Sequence, residues 1–153
     1  QMCIRDRYSS YYTAGGDYGL VDGLTGTIDF RDGRWQGFSG KDLDVVIDLG
    51  EKRDIVTVLI NFYEYGNAWI LPPKNISLFA SDNGSDWAEI DRSEFEINQD
   101  GSQKNIHDYE YKPRGLKTMR YLKVLAKNAG PLPAWHEAAG SEAWIFVDEI
   151  IVR

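Results

Sequence analysis

A two-residue period governs this chain. In residues 54–64, "DIVTVLINFYE", Val56, Val58, Ile60 and Phe62 fall on one face, opposite Thr57, Asn61 and the less polar Ile55 and Leu59. "DLDVVIDLG" sets Val45, Ile47 and Leu49 against Asp44, Val46 and Asp48. "NISLFAS" and "RYLKVLAK" alternate in the same way, and successive side chains alternate like this only on an extended strand. The final run, "WIFVDEIIV", is apolar at nearly every position, as expected of a strand covered on both faces. Residues 87–91 and 104–111 are weaker strand candidates, and no segment carries a sustained helical stripe.

Turn signals separate these runs: Gly15-Gly16, Asp22-Gly23, Asp32-Gly33, Pro72-Pro73, Asn83-Gly84, Gly101 and Pro131/Pro133. Asn83-Gly84, lying between two strand patterns, predicts a tight primed hairpin turn. Short strands with frequent turns predict an all-β, antiparallel β-sandwich, and 153 residues suit one domain. A net charge of -7 argues against binding nucleic acid or an anionic membrane surface. No apolar run approaches the roughly 20 residues that cross a bilayer. Cys3 is the only cysteine, so neither an internal disulfide nor a cysteine metal cluster can form.

The first seven residues, "QMCIRDR", look foreign to the rest of the chain and resemble adapter read-through at the edge of a gene fragment. The expected division is 1–7 as a non-native segment and 8–153 as the domain, itself the tail of a longer protein.

A catalytic reading finds no support. Asp148 and Glu149 are adjacent in a strand pattern and are expected to face opposite ways, so they cannot flank one glycosidic bond. Both histidines stand alone, and neither a nucleophile elbow nor a phosphate-cradling glycine loop appears. The expectation is a non-enzymatic binding module.

Four stretches in order, "LVDGLTG…GRWQGF", "DLDVVIDLGEKRDIVTVLINF", "PKNISLFASDNGSDWAEI" and "MRYLKVLAKN…VDEIIV", resemble the discoidin or F5/8 type C domains, which include the family 32 carbohydrate-binding modules. "YTAGG", "FRDGRWQGF", "AWILPP" and "PAWHEAAGSEAWIFVDEI" further resemble the C-terminal domain appended to bacterial family 20 glycoside hydrolases, the β-N-acetylhexosaminidases. The resemblance implies an eight-stranded jelly roll with ligand loops at one end. It also implies a glycoside hydrolase catalytic domain upstream, and a secreted, periplasmic or cell-surface location in a bacterium. Its expected partners are glycans ending in galactose, N-acetylgalactosamine or N-acetylglucosamine.

A pyranose is held by an aromatic ring under its C–H face and by polar groups around its rim. Three loops carry such groups: "YEYGNAW" with Tyr65, Asn67 and Trp69; "KNAGPLPAWHE" with Asn128, Trp135, His136 and Glu137; and "FRDGRW" with Asp32 and Arg34. If the strand order follows the family, these loops gather at one end. Trp135 is the candidate stacking ring and His136 and Asn128 its polar partners, against the alternative that a buried His136–Trp135 contact locks the loop. Trp35, Trp87 and Trp144 read as core. The resemblance also implies structural calcium at the Asp-Gly turn, clamped by the acid of the last strand. The positions are Asp22 and Glu149, with Thr25 or Thr27 and loop carbonyls, and Asp29 and Asp32 as further oxygen sources. Alternatively, Asp22 caps a turn and Glu149 meets arginine or backbone donors. A docking domain packed on its parent enzyme is the rival from another class.

Overall fold

The computed structural model describes residues 2–4, through their backbone pairing, and residues 8–153. The strands are β1 (Met2–Ile4), β2 (Gln36–Ser39), β3 (Leu43–Asp54), β4 (Val58–Tyr65), β5 (Asn75–Ser81), β6 (Ala88–Glu94), β7 (Lys104–Tyr111), β8 (Thr118–Lys127) and β9 (Trp144–Val152). They form two antiparallel sheets, ordered β1-β3-β8-β5-β6 and β2-β9-β4-β7. The eight strands β2–β9 are the expected sandwich, and β1 adds an edge. The remainder of the expected non-native segment, residues 1 and 5–7, lies outside the described residues.

The alternation explains the main core. Val45 and Ile47 of β3, Ile60 and Phe62 of β4, Ile76 and Leu78 of β5, Leu122 and Val124 of β8, and Ile145 and Val147 of β9 meet between the sheets. The reverse face of the four-stranded sheet carries a second apolar cluster. There Phe30 and Trp35 from the long first loop, with Tyr12 at its edge, cover Tyr63 of β4 and Phe146 of β9. This second layer is why β9 is apolar on both faces. Trp35 meets Tyr63 edge to face at 5.2 Å and donates its indole N–H to the Thr27 carbonyl at 3.0 Å. Gly26 permits this approach, since a Cβ there would lie 2.3 Å from the Trp35 ring.

Three local expectations are corrected. Val56 is 71% exposed, because the chain joins the sheet only at Val58, where β4 gains both Tyr111 and Val152 as partners. Trp87 is half-buried and precedes β6. The Asn83-Gly84 turn is not a two-residue hairpin. The connection spans 82–87, only Gly84 has positive φ, at 76°, and the Asn83 carboxamide oxygen accepts the Ser85 and Asp86 N–H groups.

Candidate functional site

Three connections of the sandwich meet around Gly66 and Asn67, two of them at the Gly66 carbonyl. It accepts the Trp69 N–H at 2.9 Å and the His136 Nε2–H at 2.7 Å, tying the β4–β5 loop to the β8–β9 loop. The neighbouring Asn67 N–H donates to the Gly101 carbonyl at 2.8 Å, which brings in the β6–β7 loop. Gly66 and Gly101 touch so closely that a Cβ on Gly66 would lie 2.7 Å from the Gly101 Cα. The β8–β9 loop is stapled within itself by Leu132 N–H to Ser141 O at 2.7 Å and Gly140 N–H to Leu132 O at 3.0 Å.

An open groove of about 300 Å³ lies where these loops meet, lined by Asn67, Gln99, Asp100, Ser102, Trp135 and Glu137, with His136 and Gly101 at its base. Trp135 is 43% exposed, and its ring meets the His136 imidazole with centroids 5.9 Å apart. Trp69 is 37% exposed and holds a left-handed backbone conformation, φ 67°, which costs a residue with a Cβ on the order of 1–3 kcal/mol. A depression of about 520 Å³ between β6 and β7 is larger, but its rings are engaged. Phe95 packs on Phe62 and His107, and the Tyr109 hydroxyl bonds Asp91.

Of the eight residues expected at a sugar, Asn67, Trp135, His136 and Glu137 line the groove. Trp69 and Tyr65 do not line it, although both adjoin the Gly66–Asn67 segment in sequence. Tyr65 packs on Phe30 and lies under the Lys104 ammonium at 5.1 Å. His136 is only 6% exposed and both its nitrogens are used, Nε2 on Gly66 O and Nδ1 accepting the Ala138 N–H at 2.9 Å. It therefore presents no free polar atom at the rim and instead anchors the loop, the alternative reading of the pair. Asn128 is spent in the same way: its amide donates to Lys41 O and Ala143 O, and its oxygen accepts the Gly130 N–H. Arg34 bonds Thr25 O at 3.3 Å within the first loop and does not line the groove. The β6–β7 wall, Gln99–Ser102, went unread in the sequence. Its only signal was an Asp-Gly turn among small polar residues.

A second constellation forms at the first loop. Ile60 pairs with Ile150 but Phe62 pairs with Val147, so Asp148 and Glu149 together oppose the single Asn61. This bulge breaks the alternation, and both carboxylates reach the same loop rather than opposite faces. Asp148 accepts the Gly26 N–H at 2.9 Å, and Glu149 accepts the Gly23 N–H at 3.0 Å. Glu149 is 4% exposed, its Oε2 has no partner, and burial, with the Asp22 carboxylate beside it, pushes its pKa up to about 7. Burial likewise raises that of Asp148.

An orphaned buried carboxylate oxygen beside a second carboxylate suits a hard cation. Among the described residues no three His, Cys, Asp or Glu side chains converge, so an ion there would rely on Asp22, Glu149 and loop carbonyls. Thr27 is committed elsewhere, its hydroxyl and N–H both donating to Asp32, while Asp29 N–H bonds the Thr27 hydroxyl. Thr25 is exposed.

A β-sandwich with its aromatic groove on end loops defines a class of ligand-binding modules. The sequence profile of the F5/8 type C domain matches residues 6–144, and the chain belongs to that family. Comparison with curated protein sequences gives no match. Similar solved structures include the C-terminal domain of a chitobiase from Bacteroides fragilis, 19% identical, TM-score 0.52, covering 99% of this chain and 92% of that one. The family 32 module from C. perfringens NanJ, in complex with galactose, is 12% identical with TM-score 0.58, covering 99% and 91%. Chitosan-binding module 1 from a chitosanase/glucanase of Paenibacillus sp. IK-5 is 12% identical with TM-score 0.57, covering 100% and 93%. At these identities the likeness is one of fold.

Proposed function

We propose that this domain is a non-catalytic module that binds glycans, galactosides or hexosamines, in the groove beneath Trp135. One observation carries the reading: an indole left 43% exposed over a concavity edged by Asn67, Gln99, Ser102 and Glu137. Indole rings are mostly covered, and this one has hydrogen-bonding side chains beside it, the combination of apolar face and polar rim that a sugar uses. Trp69, 37% exposed with φ 67° on the β4–β5 loop that also carries Asn67, is a second indole open to a ligand. Such a shallow site leaves little surplus over the cost of association, so affinity falls in the micromolar to millimolar range. Attachment to an exported bacterial glycoside hydrolase would convert that weak contact into retention on a polymer. Calcium bound at Asp22 and Glu149 would pin the first loop to the bulge of β9 and play no part in sugar contact.

The test is titration of the whole chain with galactose, N-acetylgalactosamine and N-acetylglucosamine oligomers, followed by indole fluorescence and calorimetry. Binding that Trp135→Ala abolishes supports the reading; no response in the unaltered protein at millimolar sugar defeats it. Tyr11, Tyr18, Leu24 and Ile28, all exposed on the first segment, favour a second reading in which that separate face docks on a partner domain. Co-purification with a hydrolase domain that survives Trp135→Ala and fails with Tyr11 and Ile28 replaced by serine tests it.

A further inference from the structure

The groove has a definite charge character. Its lining includes two carboxylates, Asp100 and Glu137, and three neutral polar side chains, Asn67, Gln99 and Ser102. It has no lysine or arginine, and the only basic residue, His136, has both nitrogens spent on Gly66 O and the Ala138 N–H. Asp100 is kept ionised. The Ser102 hydroxyl and N–H, at 2.6 and 3.0 Å, with the Gln103 amide, hold its carboxyl below the usual range. Glu137 is exposed and makes no hydrogen bond or ion pair among the described residues. The whole chain carries -7, a background that does not favour an anionic ligand.

Building on the sugar-binding reading, we infer that the groove selects hexosamines whose amine is free and protonated, over N-acetylated sugars and over uronic acids. Stacking on Trp135 brings the pyranose ring down beside Glu137 and Asp100. An equatorial ammonium then donates charge-assisted hydrogen bonds to a carboxylate with open lone pairs. An acetamido group at that position loses the charge and adds bulk. A uronate places a third negative charge beside two, with no lysine or arginine in the lining to meet it. The indole face favours cations over anions as well, since its ring electrons attract positive charge.

The experiment compares the glucosamine disaccharide, the N-acetylglucosamine disaccharide, galacturonate and spermidine, each titrated at mildly acidic pH into the whole chain. The free amine sugar is expected to bind about five-fold tighter than the N-acetyl form at low salt, the size of an exposed charge pair. The gap should close in 0.5 M salt, where charges are screened within a few ångströms. Glu137→Gln should bring the two sugars within two-fold of each other, by costing the free amine sugar several-fold more affinity than the N-acetyl form, a differential that loss of fold cannot give. Equal affinity for the N-acetyl sugar or galacturonate, or a preference untouched by Glu137→Gln, overturns the inference. So does spermidine binding as tightly as the disaccharide and indifferent to Trp135→Ala, which would mark plain cation attraction. If N-acetyl and amino sugars both bind through Trp135 without discrimination, only the selectivity fails. Silence towards every sugar removes the binding reading and the inference together.

Discussion

His136 lets the loop architecture be tested by one substitution. Replacing it with alanine removes a nearly buried ring and both of its hydrogen bonds, to Gly66 O at 2.7 Å and from Ala138 N at 2.9 Å. The two losses are unequal. Gly66 O keeps the Trp69 N–H, so it is not orphaned, and losing one of its two donors costs about 0.5–1.5 kcal/mol. The Ala138 N–H has no other acceptor, and stranding it costs about 1–3 kcal/mol. Together they amount to about 1.5–4.5 kcal/mol, an upper value, since the loop at 133–141 can open and let water satisfy Ala138. Urea unfolding measures the global loss, and amide hydrogen exchange separates it from local opening. Exchange should quicken at Ala138 and Ser141 while the β4 and β9 amides stay protected, and sugar affinity should fall with Trp135 untouched. His136→Asn retains an acceptor near the Nδ1 position and His136→Gln a donor near Nε2, so each should recover part of the loss through a different bond. A loss under about 0.5 kcal/mol with unchanged exchange at Ala138 would falsify the claim that this ring holds the loop.

Three further outcomes are expected. Trp135→Ala should change stability by less than about 1 kcal/mol in urea unfolding, because the ring is already close to half in water, so lost sugar binding there reports the site rather than the fold. Calcium at 100 times its dissociation constant should stabilise the domain by about 2.7 kcal/mol in thermal unfolding. Glu149→Gln should abolish that gain, yet leave the chelator-treated protein as stable or more so, because it removes a buried carboxylate that has one oxygen unpaired and the Asp22 carboxylate beside it; a calcium response that survives the substitution places the ion elsewhere. Asp48 is held down to about 2, first by its paired bonds to Arg120 at 3.0 and 3.1 Å. A depressed carboxylate stabilises the fold above its ordinary range and loses that contribution as pH falls through about 2. Asp48→Asn should therefore be less stable than the native chain at pH 6, with the difference vanishing below pH 2 in acid unfolding; a constant difference refutes the linkage.

Strand positions were legible because burial of one face writes itself directly into a two-residue period, and β5, β8 and β9 lie where the pattern puts them. The period does not mark where pairing begins, so Val56 read as core although the sheet starts two residues later. Nor does it reveal a bulge. Asp148 and Glu149 look like opposite-facing neighbours until the pairing of β4 with β9 skips a residue, and that skip sends both carboxylates to the first loop. The site shows the same limit in another form. Residue chemistry identified Trp135, Asn67 and Glu137, whose groups stay available. It chose His136 and Asn128 equally well by type, but their lone pairs are consumed by carbonyls and amides, some of them distant in the chain, such as Gly66 and Lys41. Availability is a tertiary property. A polar side chain in a loop binds a ligand only if the fold has left it unpaired, and here the one charged group left unpaired beside the open indole is the Glu137 carboxylate, which is what gives the groove a preference to measure.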